Sequence, residues 1–379
     1  MAPLPEDCGP QVDADSAAYD GNDIVISGMS GVMPECHNLM EFDEKLYNKV
    51  NMVTKENCRW NYEHPELPEY AGKMPDVDLF DAEPFAVHSR LANVFDPMTR
   101  LLLEQTYQAL FDAGVNPTEL SSKRVGVYVA LSPSETEKII ACSSAATGNS
   151  YKRTGLQACS RAMSANRISY WLNVNGPSIV IDCACCGSVV ALEKAYQAIL
   201  HGDCDSAVVG GAKLLLHPQT YIRYQRVIPV NRDGKTKSYD MNADGQSESE
   251  AAVSVYLQRR KDAKRIYASL CHVKTGFGVG ENFWKNYGPG RDVACAVNFL
   301  SEFYKEAKLS PSLVEYVEGF GAAIPESDKS ELEAIDKIFC DKRKKPLLVG
   351  SVLSNIGYTE AACGLSALVK ASCVHFICI

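Results

Sequence analysis

The chain has 379 residues, enough for one large domain or two smaller ones with a sizeable core. Its 46% hydrophobic and 22% charged residues are typical of a globular protein, and a net charge of −9 argues against nucleic acid or an anionic membrane as the main partner. Fifteen cysteines, an odd number, in a chain without a secretory leader favour free thiols in the reducing cytoplasm over a disulfide framework.

The predicted elements begin after residues 1–22, an acidic stretch rich in Pro and Gly that predicts a disordered tail without a cleavable leader. Residues 23–31 predict a buried strand, residues 40–48 a helix, and the Pro-, Tyr- and Asn-rich residues 55–78 a loop. A long helix is predicted after Asp96-Pro97, because apolar residues recur there at three- and four-residue spacing. No apolar run reaches the length of a membrane span.

Short valine-rich runs bounded by Gly or Asp then alternate with helical segments. They predict strands covered on both faces, at residues 124–131, 177–183, 205–212, 251–257, 313–321 and 346–354. Strands that alternate with helices indicate an α/β domain. The runs fall into two groups separated by a loop at residues 271–293, which hints at a duplicated architecture.

Three cysteines lie within four residues in the segment IDCACCGS, residues 181–188. Cys183 and Cys186 have CxxC spacing, but no second Cys/His pair at zinc-ligand spacing accompanies them, and the flanking residues differ from a thioredoxin-type redox motif. A buried strand before the cluster and a helix after it place a thiol at a helix N-terminus, where the dipole favours a thiolate nucleophile. Small, buried structural cysteines in a tight turn are equally compatible with this local pattern.

The longer segment GPSIVIDCACCGSVVALEKAYQAI, residues 176–199, resembles the active-site segment of β-ketoacyl synthases, especially the ketosynthase domain of animal-type fatty acid synthase and polyketide synthases. The family motif Asp-Thr-Ala-Cys-Ser-Ser-Ser aligns on residues 182–188, which implies that Cys185 is the nucleophile and acyl acceptor. Further segments similar to this family are residues 25–31, 80–88, 95–110, 160–171 and 350–370.

The resemblance implies a thiolase-like, layered αβαβα fold of two similar halves. The N-terminal half would span residues 23–265, and the C-terminal half, residues 266–379, would be incomplete at its C-terminus. In the family, further strands and a Gly-rich loop that contributes to the oxyanion hole follow the helix that ends here near Lys370.

The chain departs from the family at the groups that stabilise the decarboxylation transition state. The family's two histidines align on Phe320 and Tyr358, and its lysine aligns on Leu353. Phe320 has no hydrogen-bonding group, whereas Tyr358 keeps one O–H donor that could imitate part of a histidine's role. Glu248 stands where the family has an arginine, which reverses the charge.

These departures predict a pseudoenzyme of the fatty acid chain-elongation family that cannot carry out decarboxylative condensation. The alternatives are residual acyl transfer through Cys185 and a non-functional gene fragment. The resemblance implies substrates carried on the phosphopantetheine of an acyl carrier protein, with no bound cofactor or metal. It also implies a homodimer, or a heterodimer with an intact ketosynthase, in the cytoplasm, without nucleic-acid or membrane partners.

Overall fold

The computed structural model describes residues 21–55, 59, 66–139, 159–226, 228–278, 292–341 and 343–377. The predicted tail at residues 1–22 lies outside these ranges except for its last two residues, and much of the predicted loop at residues 271–293 also lies outside them. Within the described ranges, no helix combines the length and the apolar character needed to cross a membrane.

The described chain alternates strands and helices, as the sequence pattern predicts. The strands are β1 Ile24–Val32, β2 Val125–Leu131, β3 Ser178–Ile181, β4 Ser206–Lys213, β5 Ala251–Arg259, β6 Ala268–Ser269, β7 Tyr316–Glu318 and β8 Leu348–Gly350. The helices are α1 Leu39–Tyr47, α2 Ser89–Ala92, α3 Pro97–Asp112, α4 Ser164–Leu172, α5 Gly187–His201, α6 Pro218–Gln225, α7 Val293–Ala307, α8 Pro325–Ile335, α9 Leu353–Ile356 and α10 Cys363–Ile377.

Among the described residues, six strands form the first sheet, in the order β3-β2-β4-β5-β1-β6. Strand β2 is parallel to β3 and β4, whereas β5 runs antiparallel to β4 and β1. The first strand of the chain therefore pairs with strands that come much later, and Ile24 lies opposite Arg259. The valine-rich strands β2, β4 and β5 are buried on both faces, as predicted.

Helices cover the two faces of this sheet, and alternate residues of each strand point into different cores. On β2, Val127 and Val129 belong to the core that contains α3, whereas Tyr128 and Ala130 belong to the core that contains α5 and α10. Helix α3 begins where the Asp-Pro pair predicts, because the Asp96 carboxylate accepts a hydrogen bond from the Met98 N–H at 2.8 Å.

The second sheet holds the parallel pair β7 and β8 among the described residues, with Tyr316 opposite Leu348. Both strands are shorter than the runs at residues 313–321 and 346–354 and are half-buried or exposed. Strand β3, at the edge of the first sheet, is half-buried as well. The prediction of burial on both faces is therefore wrong for these three strands, because an edge strand or a two-stranded sheet leaves one side uncovered.

Candidate active site

Cys185 lies in a single 3₁₀ turn, Ala184–Cys186, between β3 and α5. This is the strand-to-helix turn that the sequence predicts. Ala184 has φ of 45°, a left-handed conformation that is strained for a residue with a Cβ and is typical of turns that present a functional side chain. Cys183 and Cys186 are exposed, whereas Cys185 is half-buried and packs against the core that contains α5 and α10.

The turn that holds Cys185 packs against a second turn, Glu360–Ala362, at the start of α10. The two helix N-termini are joined through Ser188, whose hydroxyl oxygen accepts hydrogen bonds from the main-chain N–H groups of Gly364 at 3.1 Å and Leu365 at 3.3 Å. Burial raises the pKa of Cys363 to about 12, and the neighbouring Cys185 adds to the increase. Cys363 therefore stays protonated at neutral pH while Cys185 remains the accessible thiol of the two.

Phe320 and Tyr358 meet beside this turn. Their ring centroids are 6.2 Å apart and the ring planes are nearly perpendicular, a favourable edge-to-face arrangement. Tyr358 is only 3% exposed, and burial, followed by the charge of Cys185, raises the pKa of its phenol far above that of a free tyrosine. The phenol can therefore donate a hydrogen bond, but it cannot exchange a proton at neutral pH.

Leu353 begins α9 and is buried in the same core as Phe320 and Tyr358. The structure thus brings together in one core all four positions that the family alignment selects: Cys185, Phe320, Leu353 and Tyr358. Glu318 on β7 pairs with Lys370 of α10, with 3.0 Å between its carboxylate oxygen and the ammonium nitrogen. A lysine ammonium group is thus present near these residues. It belongs to Lys370 on α10, whereas the family's lysine position holds Leu353.

The sequence did not predict a buried ion pair that lies next to Tyr358. The Lys213 ammonium, at the end of β4, donates hydrogen bonds to the Glu248 carboxylate and, at 3.2 Å, to the Tyr358 main-chain oxygen. It also lies 4.7 Å from the centroid of the Tyr358 ring. Burial alone would lower the pKa of Lys213, but the carboxylates of Glu248 and Glu360 outweigh this effect and raise it, so the lysine is charged.

The charge reversal at Glu248 is therefore compensated, since Lys213 supplies the opposite charge within hydrogen-bonding distance. A lysine at the end of an otherwise apolar, valine-rich strand was the available signal, because such a lysine needs a buried anion. Among the described residues, no group of three or more His, Cys, Asp and Glu side chains is arranged to hold a metal ion.

Comparison with known proteins matches both halves of the chain. The model of the β-ketoacyl synthase N-terminal domain matches residues 21–263, and that of the C-terminal domain matches residues 273–374. A fatty acid synthase sequence from Anser anser anser is 40% identical over 358 residues, which cover 92% of this chain and 97% of the goose sequence. The polyketide synthase PksL of Bacillus subtilis (strain 168) is 32% identical over 362 residues, and the chain spans only 8% of that protein.

Solved structures show the same likeness in three dimensions. The ketosynthase from module 6 of the bacillaene synthase of Bacillus subtilis 168 has a TM-score of 0.79 at 30% identity, covering 92% of this chain and 60% of that one. The oxazolomycin ketosynthase domain OzmH KS7 of Streptomyces albus JA3453 has a TM-score of 0.81 at 29% identity, covering 93% and 62%. The fold is therefore the thiolase-like ketosynthase fold, and the chain belongs to the β-ketoacyl synthase family.

Proposed function

We propose that this chain is a ketosynthase-like protein of the fatty acid synthase type that has lost decarboxylative condensation. The observation that carries the proposal is the pair of packed rings, Phe320 and Tyr358, at the positions where the family has its two histidines. The core around them is well formed, with Leu353 at the family's lysine position buried beside them.

Condensation requires a malonyl thioester to lose carbon dioxide, which leaves the bonding electron pair on an enolate. That enolate needs hydrogen-bond donors where its negative charge develops, and each donor lost costs about 10²–10³ in rate. Phe320 supplies no donor, and the buried phenol of Tyr358 supplies at most one. The loss of positioned proton transfer lowers the rate of condensation by a further factor of roughly 10²–10⁴. The losses are not additive, but together they reduce condensation to background.

A second function, acyl acceptance at Cys185, is favoured by a different observation. The half-buried Cys185 thiol lies on a strained turn at the N-terminus of α5, where the helix dipole favours an anion. Its thiolate would attack the carbonyl carbon of an acyl thioester, forming a new sulfur–carbon bond. The old sulfur–carbon bond breaks and the carrier leaves as a thiolate, which takes a proton from water. No step requires the missing histidines as acids.

The partners that we propose follow from this chemistry and from the exposed edge of the first sheet. The acyl donor is the phosphopantetheine thioester of an acyl carrier protein, in the cytoplasm. Strand β3 ends the sheet, and its Ile179 side chain is 43% exposed. No strand in the described ranges pairs with the outer edge of β3, and such an edge suits pairing with a second ketosynthase chain, either a copy of this one or an intact relative.

The two functions are separated by incubating the purified chain with hexanoyl-pantetheine and with malonyl-pantetheine. Intact mass would report acylation, and trapped carbon dioxide would report decarboxylation. We expect acylation of the wild type and of Cys183→Ala, which removes an exposed neighbour, but none of Cys185→Ala. We expect no carbon dioxide release above background. Carbon dioxide release that depends on Cys185 would overturn the proposed loss of condensation. An unmodified protein mass would refute acyl transfer and would mean that the chain acts only as a scaffold.

A further inference from the structure

Two thiols of the cysteine cluster have no part in the proposed acyl transfer. Cys183 and Cys186 flank Cys185 on the turn between β3 and α5. Both are exposed, whereas Cys185 is half-buried. Their CxxC spacing fits neither a zinc site nor a thioredoxin-type motif, so the sequence pattern leaves the pair without a role. Small reagents in solution can reach both thiols.

The backbone holds these two cysteines close together. The Cys186 main-chain N–H donates a hydrogen bond to the Cys183 main-chain oxygen at 3.1 Å, which closes a four-residue turn. The next N–H, of Gly187, donates to the Ala184 oxygen and continues the turn. Such a turn keeps its first and fourth Cα atoms within about 7 Å of each other. Disulfides usually join Cα atoms about 4.4–6.8 Å apart, so the turn brings the pair into disulfide range.

The charges around the turn favour attack by Cys186 on an anionic reagent. Cys186 is the N-cap residue of α5, where the helix dipole favours an anion, and thiol–disulfide exchange starts from a thiolate. The Asp182 carboxylate, next to Cys183 in the chain, is paired with the Arg161 guanidinium at 2.8 Å. This pairing offsets the repulsion between Asp182 and an anionic reagent.

The other thiols beside the turn are poorly placed for the same exchange. Cys363 is buried next to Cys185, and burial raises its pKa to about 12, so it stays protonated at neutral pH. Cys185 and Cys186 are adjacent and joined by a trans peptide bond, which holds their Cα atoms about 3.8 Å apart, below the usual range for a disulfide. Cys183 is therefore the expected partner of Cys186.

We propose that Cys183 and Cys186 form a reversible disulfide by exchange with a low-molecular-weight disulfide of the glutathione disulfide class. The Cys186 thiolate attacks one sulfur of that molecule, a mixed disulfide forms and one glutathione thiolate leaves. The Cys183 thiolate then attacks the Cys186 sulfur and releases the second glutathione thiolate. The two protons lost by the cysteines end on the two glutathione thiols, so the protein pair is oxidised and one glutathione disulfide is reduced. Disulfides in reducing compartments are usually transient and redox-sensing.

The disulfide acts on Cys185, and this part of the inference rests on the proposed acyl transfer. It links the residues on both sides of the segment Ala184-Cys185, in which Ala184 already has a strained, left-handed conformation. The link restricts a turn that must yield when the half-buried Cys185 exchanges its proton for a bulky acyl group. We expect oxidation to slow acylation of Cys185 at least tenfold, and reduction by excess glutathione to restore it.

The test treats the full chain with glutathione disulfide, blocks the remaining thiols with N-ethylmaleimide and digests the protein with trypsin without reduction. All three cysteines of the cluster fall in one tryptic peptide, residues 168–194. We expect this peptide to lose two hydrogens and to carry one maleimide label, on Cys185. Cys183→Ser should stop at the mixed disulfide with glutathione, whereas Cys271→Ser, which changes an exposed thiol elsewhere, should form the disulfide as the wild type does.

Three maleimide labels on this peptide, mixed disulfides alone, or a disulfide that includes Cys185 would overturn the proposal. The effect on Cys185 is measured by comparing oxidised and reduced wild type with Cys183→Ser/Cys186→Ser treated alike, using hexanoyl-pantetheine. Equal acylation of oxidised and reduced wild type would refute that effect. If no form is acylated, the acyl-transfer proposal fails on its own. The rate at which N-ethylmaleimide labels Cys185 then gives the same comparison, and the disulfide is still measured by mass.

Discussion

The buried pair of Lys213 and Glu248 gives a quantitative prediction. Both side chains are at most 1% exposed, so removal of one partner leaves the other charge in a site that water does not reach. Lys213→Met leaves the Glu248 and Glu360 carboxylates buried without this cation, and we expect a loss of about 3–5 kcal/mol in the free energy of unfolding. Glu248→Met should cost less, because the ammonium keeps Glu360 and the Tyr358 main-chain oxygen as partners.

The double variant Lys213→Met/Glu248→Met tests whether the two charges depend on each other, because it replaces both with apolar side chains of similar length. We expect it to be more stable than Lys213→Met alone, with a coupling energy of about 2–3 kcal/mol between the two sites. Urea unfolding followed by fluorescence and circular dichroism measures all four proteins, and unchanged m-values would show that the same transition is compared.

The matched control is the surface pair of Arg124 and Asp205, which lie 2.5 Å apart but are 54% and 63% exposed. The same cycle on this pair should give a coupling energy of less than about 1 kcal/mol, because water screens both charges. Additive effects of Lys213→Met and Glu248→Met would refute the reasoning, since they would mean that neither charge depends on the other.

Three further predictions concern the site, a strand and the buried thiols. Phe320→His combined with Tyr358→His should raise carbon dioxide release from malonyl-pantetheine by about 10²-fold, because donors return to the enolate; an unchanged rate would contradict the assigned positions. Gly28→Ala should destabilise the chain by about 1–3 kcal/mol in urea unfolding, because its Cβ would lie 2.1 Å from a main-chain oxygen of α3, and a stable variant would argue against that close packing. Burial raises the pKa of Cys204 to about 11, so the folded chain keeps a proton that the unfolded chain begins to release near pH 9. Stability should therefore fall between pH 9 and 11, and Cys204→Ala should remove up to roughly 2.7 kcal/mol of that fall; a fall of unchanged size in this variant would contradict the prediction.

Local sequence patterns predicted β1, β2, β4 and β5 of the first sheet well, because valine-rich runs reflect burial of a strand, but they did not predict the two-residue strand β6. They failed for β3, β7 and β8, whose exposure depends on what pairs beside them and not on their own composition. A valine-rich edge strand and a valine-rich central strand look the same in one sequence.

The candidate site, too, could be predicted from the sequence only in part. The position of Cys185 at a strand-to-helix turn could be predicted from adjacent segments, and the family alignment selected Phe320, Leu353 and Tyr358, which the structure brings into one core. The ion pair could not be predicted in this way. Its partners come from the end of β4 and from residues just before β5, and they meet only because these strands pair in one particular register.

The pairing of β1 has a consequence for how the chain is synthesised. A ribosome makes β1 first, but the partners of β1 in the sheet, β5 and β6, emerge only after residues 251–259 and 268–269 have been translated. Strands β2, β3 and β4 can associate earlier, since they pair with one another. Contacts between such distant segments form slowly. Until residues 251–269 have been translated, the apolar β1 thus lacks its partners, and unpaired apolar strands of this kind favour aggregation.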